Sequence, residues 1–478
     1  MQHDIAKEPQ TPSTPDLSAL WASVGRCHGW APVRVEGELP ADLQATILRV
    51  GPGLMERFGR RLVHSFEADG AMIGVRLHGD GTAQGAVRLV EGPGYKREQA
   101  AGRPLFGSAA PWWRRFVNGL QQRNKATGNT AVLHWQGRTF ALMEGARPLE
   151  IDVDALRTDG LTDFGGIVGP AFTAHPHRVE SVGTTFAFGM RYGPRPALDL
   201  YALPDHGAAR SLGQVSLPWN AMVHDFAVTE RHMVFIVCPS KVRIGRAMLA
   251  PRDMTSLFDW DPSAGAQLLV IPLDAIDQPV RTSLDARFVF HFANAQQRGN
   301  ELVVDFIQHP DDSILSALSG EGTSHTKPPR LQRLVLDPTS GRVHSDQSLW
   351  DLQCEFPVLP AGRVGHHYET LWLRTGEENI ARFEPETGAL DTWEPGPGYS
   401  PSEPLFVPRP DAERDDQGWL LSLVLDGWRG ESFFGVFDAD HPSAGPIARV
   451  WMGQPLPTTF HGTVIPNRAA KGPAVLEA

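Results

Sequence analysis

Four histidines stand out in this 478-residue chain as residues whose setting points to chemistry. His175 lies in TAHPH, His224 in MVHDFAVTE, His291 in VFHFANA and His461 in TTFHGTV. Each stretch places one imidazole at an apolar, β-prone position beside a turn. The chain has 18 histidines, and a single histidine in a strand is more often structural than a ligand. A neutral imidazole beside a buried strand, however, needs partners for both ring nitrogens. A metal at one nitrogen and a carboxylate at the other supply them. The four are separated by 49, 67 and 170 residues, and no local zinc motif such as HExxH occurs. If they converge, the fold converges them. Four neutral imidazoles with no thiolate suit Fe(II), Cu or Zn. Such a set leaves the metal charge uncompensated, and carboxylates bonded to the outer ring nitrogens relieve that. Glu144 in ALMEG, Glu355 in CEFP and Glu403 in SEPLFVP, each in an apolar strand-like run, are the candidates; each also reads as a surface acid or turn residue from composition alone.

The elements that must position these residues are short strands. From Asn129 onward, runs such as TAVLHW, HMVFIVCP, NELVVDFIQH and GWLLSLVLD recur between turn signals, the pattern of an all-β sandwich, barrel or propeller. A strand-turn-strand signature repeats as WDPSAG (260–265), LDPTSG (336–341) and FEPETG (383–388), which favours a β-propeller with its inner strands converging on an axis. The repeats are too weak to count blades. Residues 1–16 read as a disordered tail, 17–465 as one catalytic domain without an internal linker, and 466–478 as a frayed C-terminal tail. Within the domain, 104–128 differs: Trp112, Trp113, Phe116, Val117 and Leu120 alternate with Arg114, Arg115, Arg123 and Lys125. Two readings stand for it. The favoured one is a helical cap packed on the body; the other is an interfacial helix that dips into a membrane surface to collect a lipid-soluble substrate.

Composition excludes several classes. A formal charge of −11 gives no electrostatic footprint for nucleic acid. Three cysteines, far apart and without a CxxC pair, argue against a disulfide framework or a zinc-thiolate site and for a reducing compartment. No apolar run approaches the length of a membrane span, and the N-terminus lacks the apolar core of a signal peptide. A cytoplasmic protein, with peripheral membrane contact through 104–128 under the second reading of that segment, is the resulting expectation.

In order along the chain, ILRVGPG, HSFEADGAM, GNT, ALMEG, TAHPH, MVHDFAVTE, FHFANA, EFP, EPLFVPR and FHGTVIP resemble the motifs of the carotenoid cleavage oxygenases, a family of non-haem iron enzymes. That family also includes stilbene-cleaving dioxygenases and the retinoid isomerase. The resemblance runs from about residue 35 to 465. It implies a seven-bladed propeller with a cap of loops and helices over one face. It implies one Fe(2+) per chain on His175, His224, His291 and His461, with Glu144, Glu355 and Glu403 behind them. His177 stands where the family often has Lys and is left outside the ligand set. The implied reaction adds O2 across a conjugated carbon–carbon double bond and yields two carbonyl products, with the apolar substrate held in a dry tunnel. Two further departures are visible. Gln296 and Gln297 replace the acid that usually follows the FHFANA motif, and Val50 replaces Asn in the Arg-Asn-Gly-Pro run, a change expected to affect a turn only.

The branches of the family differ in substrate. Phenylpropanoid- and stilbene-cleaving members bind a phenol with a Tyr after Leu-Phe-Gly and a Lys before the first glutamate. The matching residues here are Ala109 and Met143, neither of which hydrogen-bonds or deprotonates a phenol. Met suits an elongated apolar ligand. With Phe66, these two are the candidate substrate-lining residues. A carotenoid or apocarotenoid is therefore the expected substrate. The alternatives are a stilbene or phenylpropanoid (4-vinylphenol-type) double bond, non-oxidative retinoid isomerase-like activity, and an apolar-ligand carrier without chemistry.

Overall fold

In the computed structural model, residues 14–121, 123–249, 255–318 and 328–466 are described. Most of the expected tails, 1–13 and 467–478, lie outside them. Residues 14–16 do not belong to a tail: the Asp16 amide donates to the Gly427 carbonyl at 2.9 Å, which ties the entering chain to the sheet that ends the domain.

Among the described residues, seven antiparallel sheets of four to six strands follow one another, with two additional two-stranded ribbons. They are the blades of a seven-bladed propeller. The second, third, fifth and sixth each use four consecutive strands, and the fourth does so except for the ribbon Ser240–Val242/Phe258–Trp260 inserted between its second and third strands. The fifth, for example, runs Phe288–Arg298, Glu301–His309, Arg330–Leu336 and Val343–Trp350 in sequence order. The first and seventh exchange chain ends. The C-terminal strand Gly462–Pro466 pairs with Gln44–Leu54 in the first blade, and an early strand, Arg34–Gly37, pairs with Ala448–Trp451 in the seventh. A sheet ring closed this way leaves no free edge between its ends.

The core is a ring of apolar layers, each between two neighbouring blades. Phe186, Phe188 and Leu200 of the third blade meet Phe235, Leu269 and Ile271 of the fourth. Ile47, Ile73 and Val75 of the first meet Leu421, Phe434 and Val436 of the seventh. Alternate residues of each strand face opposite layers, so one blade serves two interfaces and its strands read as nearly unbroken apolar runs.

Turn chemistry explains two of the three repeated motifs. LDPTSG and FEPETG both join the third and fourth strands of their blades, the fifth and sixth. In the first of these, Asp337 accepts from the Thr339 amide at 2.8 Å, and Gly341 closes the turn at φ 73°. WDPSAG does not occupy the equivalent position. It connects the ribbon strand Phe258–Trp260 to the third strand of the fourth blade, Ala266–Pro272. Local turn chemistry recurs wherever a chain reverses, whether or not a blade ends there.

The segment over the first blade contains helices Pro93–Ala101 and Trp112–Leu120. The first of them was not anticipated. The second differs from the favoured packed-cap reading, since none of its residues is buried and Trp112, Trp113, Phe116, Val117 and Leu120 are all exposed. It lies beside the helix Ile244–Leu249, and polar contacts tie it to its own segment: Asn118 Nδ2 donates to the Leu105 carbonyl and Arg115 Nη1 to the Ala110 carbonyl. Below the cap, Lys125 Nζ bridges Asp69 and Glu98 at 2.6 and 2.7 Å, and Arg57 completes a buried ionic cluster.

Candidate metal centre

Each blade presents one strand to the centre, and the chemistry-bearing residues cluster at those strands. His175 precedes His177–Val179 of the third blade, and His224 precedes the short strand Ala227–Val228 of the fourth. His291 lies within Phe288–Arg298, and His461 directly precedes Gly462–Pro466. Only His291 is inside a strand; His224, expected in one, sits in the irregular run leading to it. The pairing register of the His291 strand shifts between Val289 and Phe292 and again before Asn294. Such a bulge re-aims a side chain, and here three consecutive residues, Phe290 to Phe292, are all buried.

The four imidazoles come together. One ring nitrogen from each lies within 4.8 Å of the others. His175 Nε2 and His224 Nε2 are 2.9 Å apart. The ring of His175 is 4.4 Å from those of His224 and His461, centre to centre, and 5.1 Å from that of His291. His291 Nε2 is buried and has no hydrogen-bond partner.

The outer nitrogens meet the three glutamates. His291 Nδ1 lies 2.6 Å from Glu355 Oε2, and His461 Nδ1 lies 2.8 Å from Glu403 Oε1. His224 Nδ1 is 2.6 Å from Glu144 Oε1, in contact without the alignment of a hydrogen bond. A carboxylate on Nδ1 keeps the proton there and turns the Nε2 lone pair toward the shared centre. Glu355 lies in the strand Cys354–Val358, whereas Glu144 follows Arg138–Leu142 and Glu403 falls in a break between Tyr399–Pro401 and Leu405–Pro408. Glu355 also takes His309 Nε2 on its other oxygen at 2.6 Å.

Electrostatics keep these acids ionised. Burial pushes each carboxyl upward, but the facing imidazoles outweigh it, and Glu144, Glu355 and Glu403 all end below the usual carboxylate range. His175, which has no carboxylate partner, is held well below the usual histidine range by burial and by the neighbouring rings, so it is neutral with a free lone pair. Burial lowers His461 too, against the pull of Glu403. At His291 burial is outweighed by Glu355, which favours a positive charge at that ring. Imidazole nitrogens aimed at one centre, an orphaned Nε2 among them and anions behind three of the rings, are the donor set a divalent cation needs.

Aromatic rings wall the centre. Phe290 stacks on His224 at 3.9 Å, and Phe356 lies 5.3 Å from His291 and 5.4 Å from His461. Phe356 has φ 57°, a left-handed backbone that costs a non-glycine residue of order 1 kcal/mol or more, and its amide donates to Glu355 Oε2. Of the expected lining residues, Phe66 is edge-on to Phe460, the neighbour of His461, at 5.6 Å. Met143 turns its sulfur toward the Thr127 amide and hydroxyl, and Ala109 packs with Met55, Leu62 and Ala68.

Arg49, Asp225 and His309 were not singled out from the sequence. Arg49 is wholly buried; its guanidinium donates to the Glu403 and Phe460 carbonyls at 2.8 Å and to Thr459 Oγ1 at 2.9 Å. The signal was one arginine inside the apolar run ILRVGPG. Its neighbour Val50 is fully buried in the strand Gln44–Leu54, so the substitution at that position falls within a strand and not in a turn.

A seven-bladed propeller with four converging imidazoles at its centre, three of them backed by glutamates, defines the class of the non-haem iron oxygenases that resemble this chain. The profile of the family described as retinal pigment epithelial membrane protein matches residues 23–466, and the chain belongs to that family, the carotenoid cleavage oxygenases. It is 30% identical to the apocarotenoid-15,15'-oxygenase of Synechocystis sp. over 90% of this chain and 92% of that one. It is 28% identical to the carotenoid 9,10(9',10')-cleavage dioxygenase of Crocus sativus, over 95% and 86%. The crystal structure of the cobalt-substituted Synechocystis oxygenase superposes with a TM-score of 0.84 at 27% identity, covering 94% of this chain and 98% of that one.

Proposed function

We propose that the chain is an Fe(II)-dependent dioxygenase that cleaves a conjugated double bond of a carotenoid or apocarotenoid with O2. His175, His224, His291 and His461 hold one iron per chain, and Glu144, Glu355 and Glu403 orient three of those rings. The observation that carries this reading is the convergence of the four ring nitrogens within 4.8 Å. Iron bound there supplies activation of O2 beside the polyene. The protein's part is to keep the ligand nitrogens deprotonated, to hold the substrate against an aromatic wall of Phe66, Phe290 and Phe356, and to exclude water from the centre. Both carbons of the cleaved bond leave as carbonyls, with one oxygen atom each.

Ala109 and Met143 favour the carotenoid class over a phenol. Ala109 is buried among aliphatic side chains, and Met143 offers only a thioether, so neither position provides a donor or base for a phenolic hydroxyl. The exposed apolar face of helix Trp112–Leu120 supports peripheral attachment to a membrane, where such substrates dissolve. No helix among the described residues is long and apolar enough to cross one.

The test is product identification by mass spectrometry from a panel of carotenoids, apocarotenals and hydroxystilbenes under labelled O2, with iron content measured in parallel. The wild type is expected to hold one iron and release labelled aldehydes from a polyene, and His224→Ala is expected to lose both. An iron-loaded protein that cleaves only the hydroxystilbene overturns the substrate, and isomerised products without O2 uptake overturn the reaction.

A further inference from the structure

Three of the four histidines have a carboxylate on the ring. His175 has none, and its segment is tied down in another way. Asp225, the residue after His224, is almost fully buried and places its carboxylate among three donors. His177 Nε2 lies 2.7 Å from Oδ1. The Phe226 amide donates to the same oxygen at 2.7 Å, and the Phe292 amide donates to Oδ2 at 2.7 Å. His177 is two residues after His175, and Phe292 is next to His291. One carboxylate therefore joins the segments that carry His175, His224 and His291, which belong to the third, fourth and fifth blades. No strand pairing among the described residues does this, because each blade is a separate sheet.

The structure assigns Asp225, with His177 as its donor, the role of a positioning pair that sets the spacing of three metal-binding histidines from behind their backbone. The assignment rests on the four-histidine reading of the metal centre. Its chemistry is specific to the groups present. A carboxylate accepts from all three donors at once. An asparagine at 225 accepts through one oxygen only and turns an N–H toward another N–H. A phenylalanine at 177 fills the space of the ring and offers no donor. A lysine there again offers an N–H to Asp225, at the end of a flexible stem. His177 is about a quarter exposed, so replacing it leaves no core cavity.

The experiment is Co2+ titration of the metal-free full-length protein, followed by the ligand-field bands of the bound ion. Asp225→Asn and His177→Phe are expected to weaken Co2+ binding about 10- to 100-fold, the range seen when groups behind metal ligands are removed, and to shift the bands. His177→Lys is expected to stay within a few-fold of wild type. Wild-type affinity and bands in both Asp225→Asn and His177→Phe overturn the assignment, as does a His177→Lys protein as weak as His177→Phe. His224→Ala in the same titration separates the two levels. Retained tight binding there overturns the four-histidine centre, whereas lost binding beside an unaffected Asp225→Asn overturns the positioning pair alone.

Discussion

Replacing Trp112 and Trp113 together by serine is expected to detach the protein from lipid without touching its fold or its centre. Trp112 is 72% exposed and Trp113 45%. With about 250 Å² for a whole indole side chain, the pair presents roughly 300 Å² of mostly apolar surface. Complete burial at ~25 cal/mol per Å² corresponds to about 7 kcal/mol. An interfacial helix sinks only part way into the headgroup region, so about half of that, ~3 to 4 kcal/mol, is the working figure. At 1.4 kcal/mol per factor of ten, the double variant loses roughly two to three orders of magnitude in partition. Arg114 and Arg115 on the same helix add about 1 kcal/mol each when the lipid is anionic. The assay is co-sedimentation with phosphatidylcholine vesicles, with and without phosphatidylserine, read against turnover of a detergent-dispersed apocarotenal. Binding to vesicles is expected to collapse in the double variant, to rise with phosphatidylserine in the wild type, and turnover in detergent is expected to persist. Equal sedimentation of both proteins refutes the reasoning.

Two further outcomes follow from buried groups. Arg49→Met leaves the buried Glu403 without its cation, 3.6 Å away, and strips two carbonyls of their donor, so a loss of about 3 to 5 kcal/mol in urea unfolding is expected; a loss under about 1 kcal/mol would show that His461 and the Gly462 amide hold Glu403 without Arg49. Burial pushes the Cys238 and Cys354 thiols from an ordinary value of 9.0 up to about 12. A raised thiol favours the protonated folded state, so its contribution is complete below pH 9, declines as the unfolded chain ionises above it, and is lost on passing the folded value. Each thiol is expected to cost about 2 kcal/mol on going from pH 8 to 10.5. Unfolding free energies of the wild type and of Cys238→Ala/Cys354→Ala at both pH values check this, and equal losses in the two proteins would contradict it.

Much of the centre was legible one residue at a time. The histidines and glutamates stand in apolar, β-prone surroundings where an unpartnered polar group is costly, and that mismatch is written in the sequence itself. The alternation of short strands and turns likewise declared an all-β chain, and the ordered motifs declared its family. Asp225 was passed over because an acid after a histidine is unremarkable in sequence; its value depends on the Phe292 amide, 67 residues away. Arg49 was not singled out because the partners that make it a buried clamp lie more than 350 residues on.

Tertiary structure alone decided the rest. It placed one strand of each blade at a shared centre, and so converted separations of 49, 67 and 170 residues into contacts of a few ångströms. It left Trp112, Trp113, Phe116, Val117 and Leu120 exposed among the described residues, which periodicity cannot reveal, since an amphipathic helix has the same pattern whether its face meets a core, a membrane or water. The sequence by itself determined which side chains have the chemistry to bind a cation, because that follows from residue type. Which of them meet was decided by the closure of seven sheets into a ring, a property of all the interblade layers together and of no single stretch.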